Sequence, residues 1–233
     1  MSRPAYWCPS LVTIFFGMLA PYRRLCLHRI LVAGPLGLPD DERAVLLCAN
    51  HTSWWDGFLL REVHRRQGAG RSLYTVMLAS QRRRFPWFRW MGALGLEPGR
   101  PASLRRVFRF LYQERRRRPY WLAFFPQGRI RPSFARPLDF RPGVRLMVRA
   151  IHPGWIIPTA IHLEPLRHPA PTAFVVMGAP IDTACDPSPE ALETATTLLL
   201  DRLQGWLSRV GEHAAEKWEE FLAEHTAQNQ IRT

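Results

Sequence analysis

Leu46-Leu47-Cys48-Ala49-Asn50-His51-Thr52-Ser53-Trp54-Trp55-Asp56 is the segment on which the fold assignment turns. Residues 44–49 form a short apolar run that stops at Asn50, the pattern of a strand buried on both faces. Thr52 and Ser53 then offer hydroxyls suited to a helix N-cap, and the pattern predicts a helix to about residue 63. A buried strand that turns directly into a helix opens a β-α unit, and the carboxyl end of such a strand is where open α/β sheets gather ligands. His51 falls in that turn. Asp56 falls in the first helical turn, within reach of one imidazole nitrogen. A carboxylate there fixes the tautomer and stabilises the imidazolium, and the other nitrogen is left to take a hydroxyl proton. The chain has eight histidines, so the spacing is weak evidence by itself. The strand–turn–helix setting is what gives it weight.

The rest of the chain repeats the alternation. Strands are predicted near residues 73–79, 120–125, 155–161 and 173–177. Helices are predicted over 102 to about 117, with Leu104, Val107, Phe108 and Leu111 on one face, and over 144–150. Ser188-Pro189 reads as an N-cap followed by proline at the first position, opening a helix that runs to Val210 before Gly211 interrupts it. A last helix is expected from 212 to about 224. Residues 34–39, rich in glycine and proline, read as a loop. The expectation is an α/β fold, a single domain with a mostly parallel central sheet flanked by helices.

Composition narrows the function. Apolar residues make up 47% of the 233, enough for a substantial core. Four widely spaced cysteines form no C-x-x-C pair, which argues against a metal or dithiol site and for a reducing compartment. Net charge is +13, and Lys217 is the one lysine among 32 basic residues. Residues 1–150 hold 27 basic against 8 acidic residues, and 151–233 hold 5 against 11. That asymmetry points to an anionic partner for the first two-thirds. Residues 4–22 carry no charge, with Pro9 and Pro21 bracketing the most apolar run at 11–20, and Arg23, Arg24 and Arg29 follow. Ten apolar residues are too few to span a bilayer, which takes about 20. The run fits an N-terminal interfacial helix, and residues 1–30 are read as a membrane-associating segment ahead of a domain at 31–233. Arg82-Arg83-Arg84-Phe85-Pro86-Trp87-Phe88-Arg89-Trp90 mixes cations with aromatics, as at a lipid headgroup boundary. Nucleic-acid binding is not expected, since no RNP, KH, zinc-finger or helix-turn-helix signature is present.

Asn50-His51-Thr52-Ser53-Trp54-Trp55-Asp56 resembles the first block of the glycerolphosphate and lysophospholipid acyltransferases. Further blocks follow in that family's order. Met91-Gly92-Ala93-Leu94-Gly95-Leu96-Glu97-Pro98-Gly99-Arg100 stands at the second block, Phe125-Pro126-Gln127-Gly128-Arg129-Ile130-Arg131-Pro132 is similar to the third, and Ile156-Ile157-Pro158-Thr159-Ala160-Ile161 to the fourth. Val175-Val176-Met177-Gly178-Ala179-Pro180-Ile181 is similar to a downstream strand. The resemblance implies acyl transfer from acyl-CoA or an acidic acyl-carrier protein to a lipid hydroxyl, with no cofactor. His51 is then the base and Asp56 its orienter. Gln127, Gly128, Arg129, Arg131 and Arg100 become the substrate-binding candidates, backbone N–H groups around Gly128 serving the oxyanion. The family's third-block glutamate is Gln127 here, Ile130 takes an arginine position, and Pro98 follows Glu97 where an arginine is usual. Those arginines hold the acceptor's phosphate in the family, so two acceptor classes stay open. One is a lysophospholipid. The other is a non-phosphate hydroxyl lipid, such as a glycosylated carotenoid or an amino-acid lipid. An inactive membrane adaptor is a third reading. Membrane lipids are expected partners, and the cytoplasmic face of a membrane the expected location, in a peripheral or monotopic mode.

Overall fold

A computed structural model describes residues 5–34, 41–68 and 70–230. The described residues form one eight-stranded sheet. Its strands are β1 (Ile30–Ala33), β2 (Ala44–Ala49), β3 (Ser72–Leu78), β4 (Ala93–Leu96), β5 (Tyr120–Phe124), β6 (Gly154–Glu164), β7 (Thr172–Met177) and β8 (Ile181–Asp182). The order across the sheet is β1-β7-β6-β2-β5-β3-β4, with β8 on β6. All neighbouring pairs are parallel except β6–β7 and β6–β8. The central strands β2 and β5 are buried at every position, which is why their sequences are unbroken apolar runs rather than alternating ones. The expected α/β architecture with a mostly parallel sheet is the one observed.

Helices cover the sheet: α1 (Pro9–Cys26), α2 (Asp56–Gln67), α3 (Ala79–Arg84), α4 (Pro101–Arg115), α5 (Gly143–Ile151), α6 (Pro189–Val210) and α7 (Trp218–Gln230). Pro21 lies inside α1, which continues through Arg23 and Arg24 to Cys26 without the hydrogen bond an N–H at 21 would give the Gly17 carbonyl. Several expectations need correction. Thr52 and Ser53 do not cap α2. Trp55 is its N-cap, and the two hydroxyls turn to the Asp56 carboxylate instead. The last helix begins at Trp218, not at 212. Gly211, at φ +60, breaks the chain direction, and Trp218 and Phe221 must reach Trp206 in the core. The short strands β1, β4 and β8 and the helix α3 were not anticipated. Of the loop expected at 34–39, residues 35–39 lie outside the described residues.

The N-terminal stretch packs on the same core as the sheet. Trp7 and Val12 are buried. The Tyr6 N–H donates to the Arg89 carbonyl at 2.7 Å, and the Gly92 N–H to the Tyr6 carbonyl at 3.1 Å. Gly92 has φ +78, and a Cβ there would stand 2.1 Å from the Leu73 carbonyl oxygen. That close approach accounts for the second-block glycine. Phe16 of α1 meets Phe58 of α2 edge to face at 5.8 Å. Among the described residues, no helix is long and apolar enough to cross a membrane.

Candidate active site

The parallel strands β2, β3, β4 and β5 send their carboxyl ends to one edge of the sheet, and the polar turns that follow them meet there. Asn50 leaves β2 and continues its pairing with β6 through its side chain. Its amide oxygen accepts from the Ile161 N–H at 2.7 Å, and its NH2 donates to the Ile161 carbonyl at 2.9 Å. The next residue, His51, is thereby fixed at the sheet's edge.

His51 Nδ1 lies 2.7 Å from Asp56 Oδ2. Asp56 is fully buried, while the His51 side chain is 23% exposed. The carboxylate is held on all sides: Oδ2 accepts from the N–H groups of Thr52 and Ser53 at 2.5 and 2.9 Å. Oδ1 accepts from the Ser53 hydroxyl at 2.6 Å and from that of Thr52 at 3.3 Å. A buried carboxylate with this many donors is held in one rotamer. The five-residue spacing works because the turn 52–55 aims its own N–H groups at the helix's first side chain. Phe125, just after β5, stacks on the imidazole with centroids 4.4 Å apart. Nδ1 is spent on Asp56, so Nε2 is the nitrogen available to a substrate hydroxyl.

The third block holds this arrangement from the adjacent strand. Gln127, 2% exposed, accepts the His51 N–H on Oε1 at 2.5 Å. A glutamate could do the same, so the amide keeps the contact and removes the charge. Gly128 has φ +64 and turns the chain after Gln127. Its own N–H donates to the Phe125 carbonyl at 3.0 Å, so of the N–H groups expected around Gly128 this one is taken by the turn.

The expected phosphate readers are engaged with the protein. Arg129 pairs with Asp139 at 2.9 Å. Arg131 donates to the carbonyls of Pro137 and Leu138 at 2.9 and 3.3 Å and ties down the loop, outside the cleft lining. Arg100 pairs with Glu97 at 2.8 Å. A further cation that the sequence reading missed lines the same cleft as His51. Arg141 lines the cleft, and its guanidinium would be 3.4 Å from a Cβ on Gly128. Its signal in the sequence was only a cation after a loop, one of 27 in that region.

His51 opens onto a cleft of ≈ 730 Å³, within the range of small-molecule sites. Its walls are mainly apolar, with Phe16 and Phe58 on one side, Val76 and Leu96 on another, and Arg100, Arg129 and Arg141 at polar positions. The cleft suits a long aliphatic chain whose polar end lies by the imidazole. No group of three or more His, Cys, Asp or Glu among the described residues could hold a metal ion.

A family model described as acyltransferase matches residues 29–162. Among solved structures, the chain is similar to the 1-acyl-sn-glycerophosphate (LPA) acyltransferase PlsC from Thermotoga maritima. The TM-score is 0.51 at 19% sequence identity, over 76% of this chain and 72% of that one. No protein of curated function matches the chain.

Proposed function

The chain belongs to the acyltransferase family, and we propose that it transfers a fatty acyl group from acyl-CoA or acyl-carrier protein to a hydroxyl of a lysophospholipid-type acceptor. The observation that carries this reading is the His51–Asp56 pair at 2.7 Å, facing an apolar cleft. His51 Nε2 takes the acceptor hydroxyl proton while the oxygen attacks the thioester carbonyl. The tetrahedral intermediate collapses with cleavage of the C–S bond, and the thiolate takes the proton back from Nε2. The products are an ester and a free thiol. Buried Asp56 holds Nδ1–H and stabilises the imidazolium between these steps. Arg141, over the Gly128 turn and lining the same cleft as His51, is a cation available to developing negative charge.

The donor's phosphates or acidic helices meet an arginine-dense surface beside the cleft. Arg82 there has its pKa pushed down, by burial first and then by Arg106 and Arg89 close by. Leu11, Ile14, Met18, Tyr22 and Leu25 form an exposed apolar stripe along α1 at helical spacing, and Arg23 and Arg24 end it. That face lies on the cytoplasmic surface of a membrane, as a peripheral or monotopic helix, and brings the cleft to its lipid substrates. A non-phosphate hydroxyl lipid is the second reading, favoured by the pairing of Arg100 and Arg129 with Glu97 and Asp139.

The test is thiol release from acyl-CoA in the presence of 1-acylglycerol-3-phosphate, the acceptor named for the similar Thermotoga maritima enzyme. Wild type should turn over, and folded His51→Ala should lose at least about a hundredfold, the usual worth of a general base. Equal rates for the two proteins would refute the mechanism.

A further inference from the structure

Arg61 forms part of two cavities at once. One is the cleft that holds His51, and the other is a pocket of ≈ 280 Å³ between α1 and α2, bounded also by Arg23, Trp55 and Arg65. Phe16, Phe58 and Arg61 are the residues common to both linings, so Arg61 is the charged part of the wall between them. Among the described residues it forms no direct ion pair, and Glu62 acts on it only through space. Its Nε is buried and has no hydrogen-bond partner. The neighbouring carboxylate, Glu62, is taken by Arg65 at 2.7 Å and Arg66 at 3.0 Å. The guanidinium faces the Phe16 ring, 5.2 Å from its centroid. Burial pushes its pKa down; Glu62 opposes the shift, and Arg65 adds to it. A half-buried cation whose Nε is shielded from water without a partner is costly, and a leucine would fill the same apolar wall without that cost. The arginines that the sequence motifs single out, Arg100, Arg129 and Arg131, are all satisfied within the protein.

We infer that Arg61 is the receptor for the anionic group of the acceptor, a phosphate ester that enters the cleft as its missing counter-charge. The inference rests on the acyltransferase reading of the cleft. Arg61 follows Asp56 by five residues, about 7.5 Å along the axis at ~1.5 Å per residue. Trp54, Gly57, Phe58 and Arg61 lie along one side of that segment and line the cleft together with His51. A phosphate held there by two parallel N–H···O bonds keeps the adjoining glycerol hydroxyl in the same cleft as His51. Arg23 and Arg65 on the far side of the wall add attraction for the same charge.

The experiment compares wild type, Arg61→Leu and Arg61→Lys at saturating acyl-CoA, with lysophosphatidate and with the monoacylglycerol of the same chain as acceptors. In Arg61→Leu the ratio of kcat/KM for lysophosphatidate over monoacylglycerol should fall about ten- to hundredfold. The fall should lie in KM for lysophosphatidate, with KM for the donor unchanged, and Arg61→Lys should recover part of it. Independently of turnover, glycerol 3-phosphate and inorganic phosphate should raise the melting temperature of wild type more than that of Arg61→Leu, with the larger effect for the ester. An unchanged acceptor ratio in folded Arg61→Leu overturns the inference and leaves the acyl-transfer reading standing. A phosphate-induced melting shift kept in full by Arg61→Leu overturns it as well. If wild type acylates neither acceptor but loses its phosphate shift on substitution, the acyl-acceptor reading fails while the anion site at Arg61 stands.

Discussion

Replacing Asp56 by asparagine separates the charge of this residue from its shape. Asp56 Oδ2 accepts from three donors, namely His51 Nδ1 at 2.7 Å and the Thr52 and Ser53 N–H groups at 2.5 and 2.9 Å. An asparagine NH2 at that place would face three donors, so the amide oxygen must occupy it. The NH2 then meets the hydroxyls of Ser53 and Thr52, which can rotate to accept. The tautomer of His51 is therefore preserved, and folding should lose only about 1–2 kcal/mol as charged hydrogen bonds become neutral ones. Asp56→Ala is the poorer probe, since it leaves two backbone N–H groups without an acceptor at about 1–3 kcal/mol each. What Asn removes is the attraction between the carboxylate and the imidazolium formed in the transition state. Two unit charges about 4 Å apart at an effective dielectric of about 20 interact by about 4 kcal/mol. At ~1.36 kcal/mol per decade, that is roughly a thousandfold in kcat. Steady-state thiol release with acyl-CoA and 1-acylglycerol-3-phosphate measures it, alongside thermal melting of both proteins. A folded Asp56→Asn that keeps kcat within tenfold of wild type refutes the assignment of Asp56 as the imidazolium's counter-charge.

Two further outcomes are expected. His64 is buried, its Nε2 lies 2.8 Å from the Arg71 carbonyl and its Nδ1 has no partner; burial first, then Arg61, lowers its pKa to about 4 from 6.5. The unfolded chain thus binds a proton that the folded one refuses, so this contribution is complete above about pH 6.5 and is lost as pH falls towards 4, costing about 2 kcal/mol by pH 5. Urea midpoints at pH 7 and pH 5 should show a smaller loss in His64→Gln, and an equal loss in both proteins would sink the assignment. Met18 and Leu25, 77% and 79% exposed, lie on the outer face of α1. Replacing both by glutamate should weaken pelleting with anionic vesicles while leaving the melting temperature nearly unchanged, and undiminished pelleting would exclude that face as the membrane contact.

Much of this fold is local enough to be legible in the chain. The run Ala44–Ala49 forms a strand with those bounds, and Ser188-Pro189 starts α6 as its side chains dictate, with the Ser188 hydroxyl accepting from the Ala191 N–H. Residues outside such runs were not legible. The strands β1 and β4 have four residues each and β8 has two, too short to establish a period, and they exist because a neighbouring strand offers a partner.

The site divides in the same way. The sequence by itself determined the His51–Asp56 juxtaposition, because five residues across a strand–turn–helix junction leave the two side chains within reach whatever surrounds them. It also determined the class of chemistry, through the order of its motifs. Only the tertiary structure decided what holds His51 and what charges the cleft offers. Gln127 meets the His51 N–H across 76 residues because β5 lies beside β2 in the sheet. Arg100, Arg129 and Arg131 find carboxylates or carbonyls on their own loops, whereas Arg61, half-buried against the Phe16 ring, has no such partner for its buried Nε. All four read as the same letter in the sequence. A guanidinium's availability to a ligand is set by whether a counter-charge comes within about 4 Å of it, and that distance is fixed by how the elements pack.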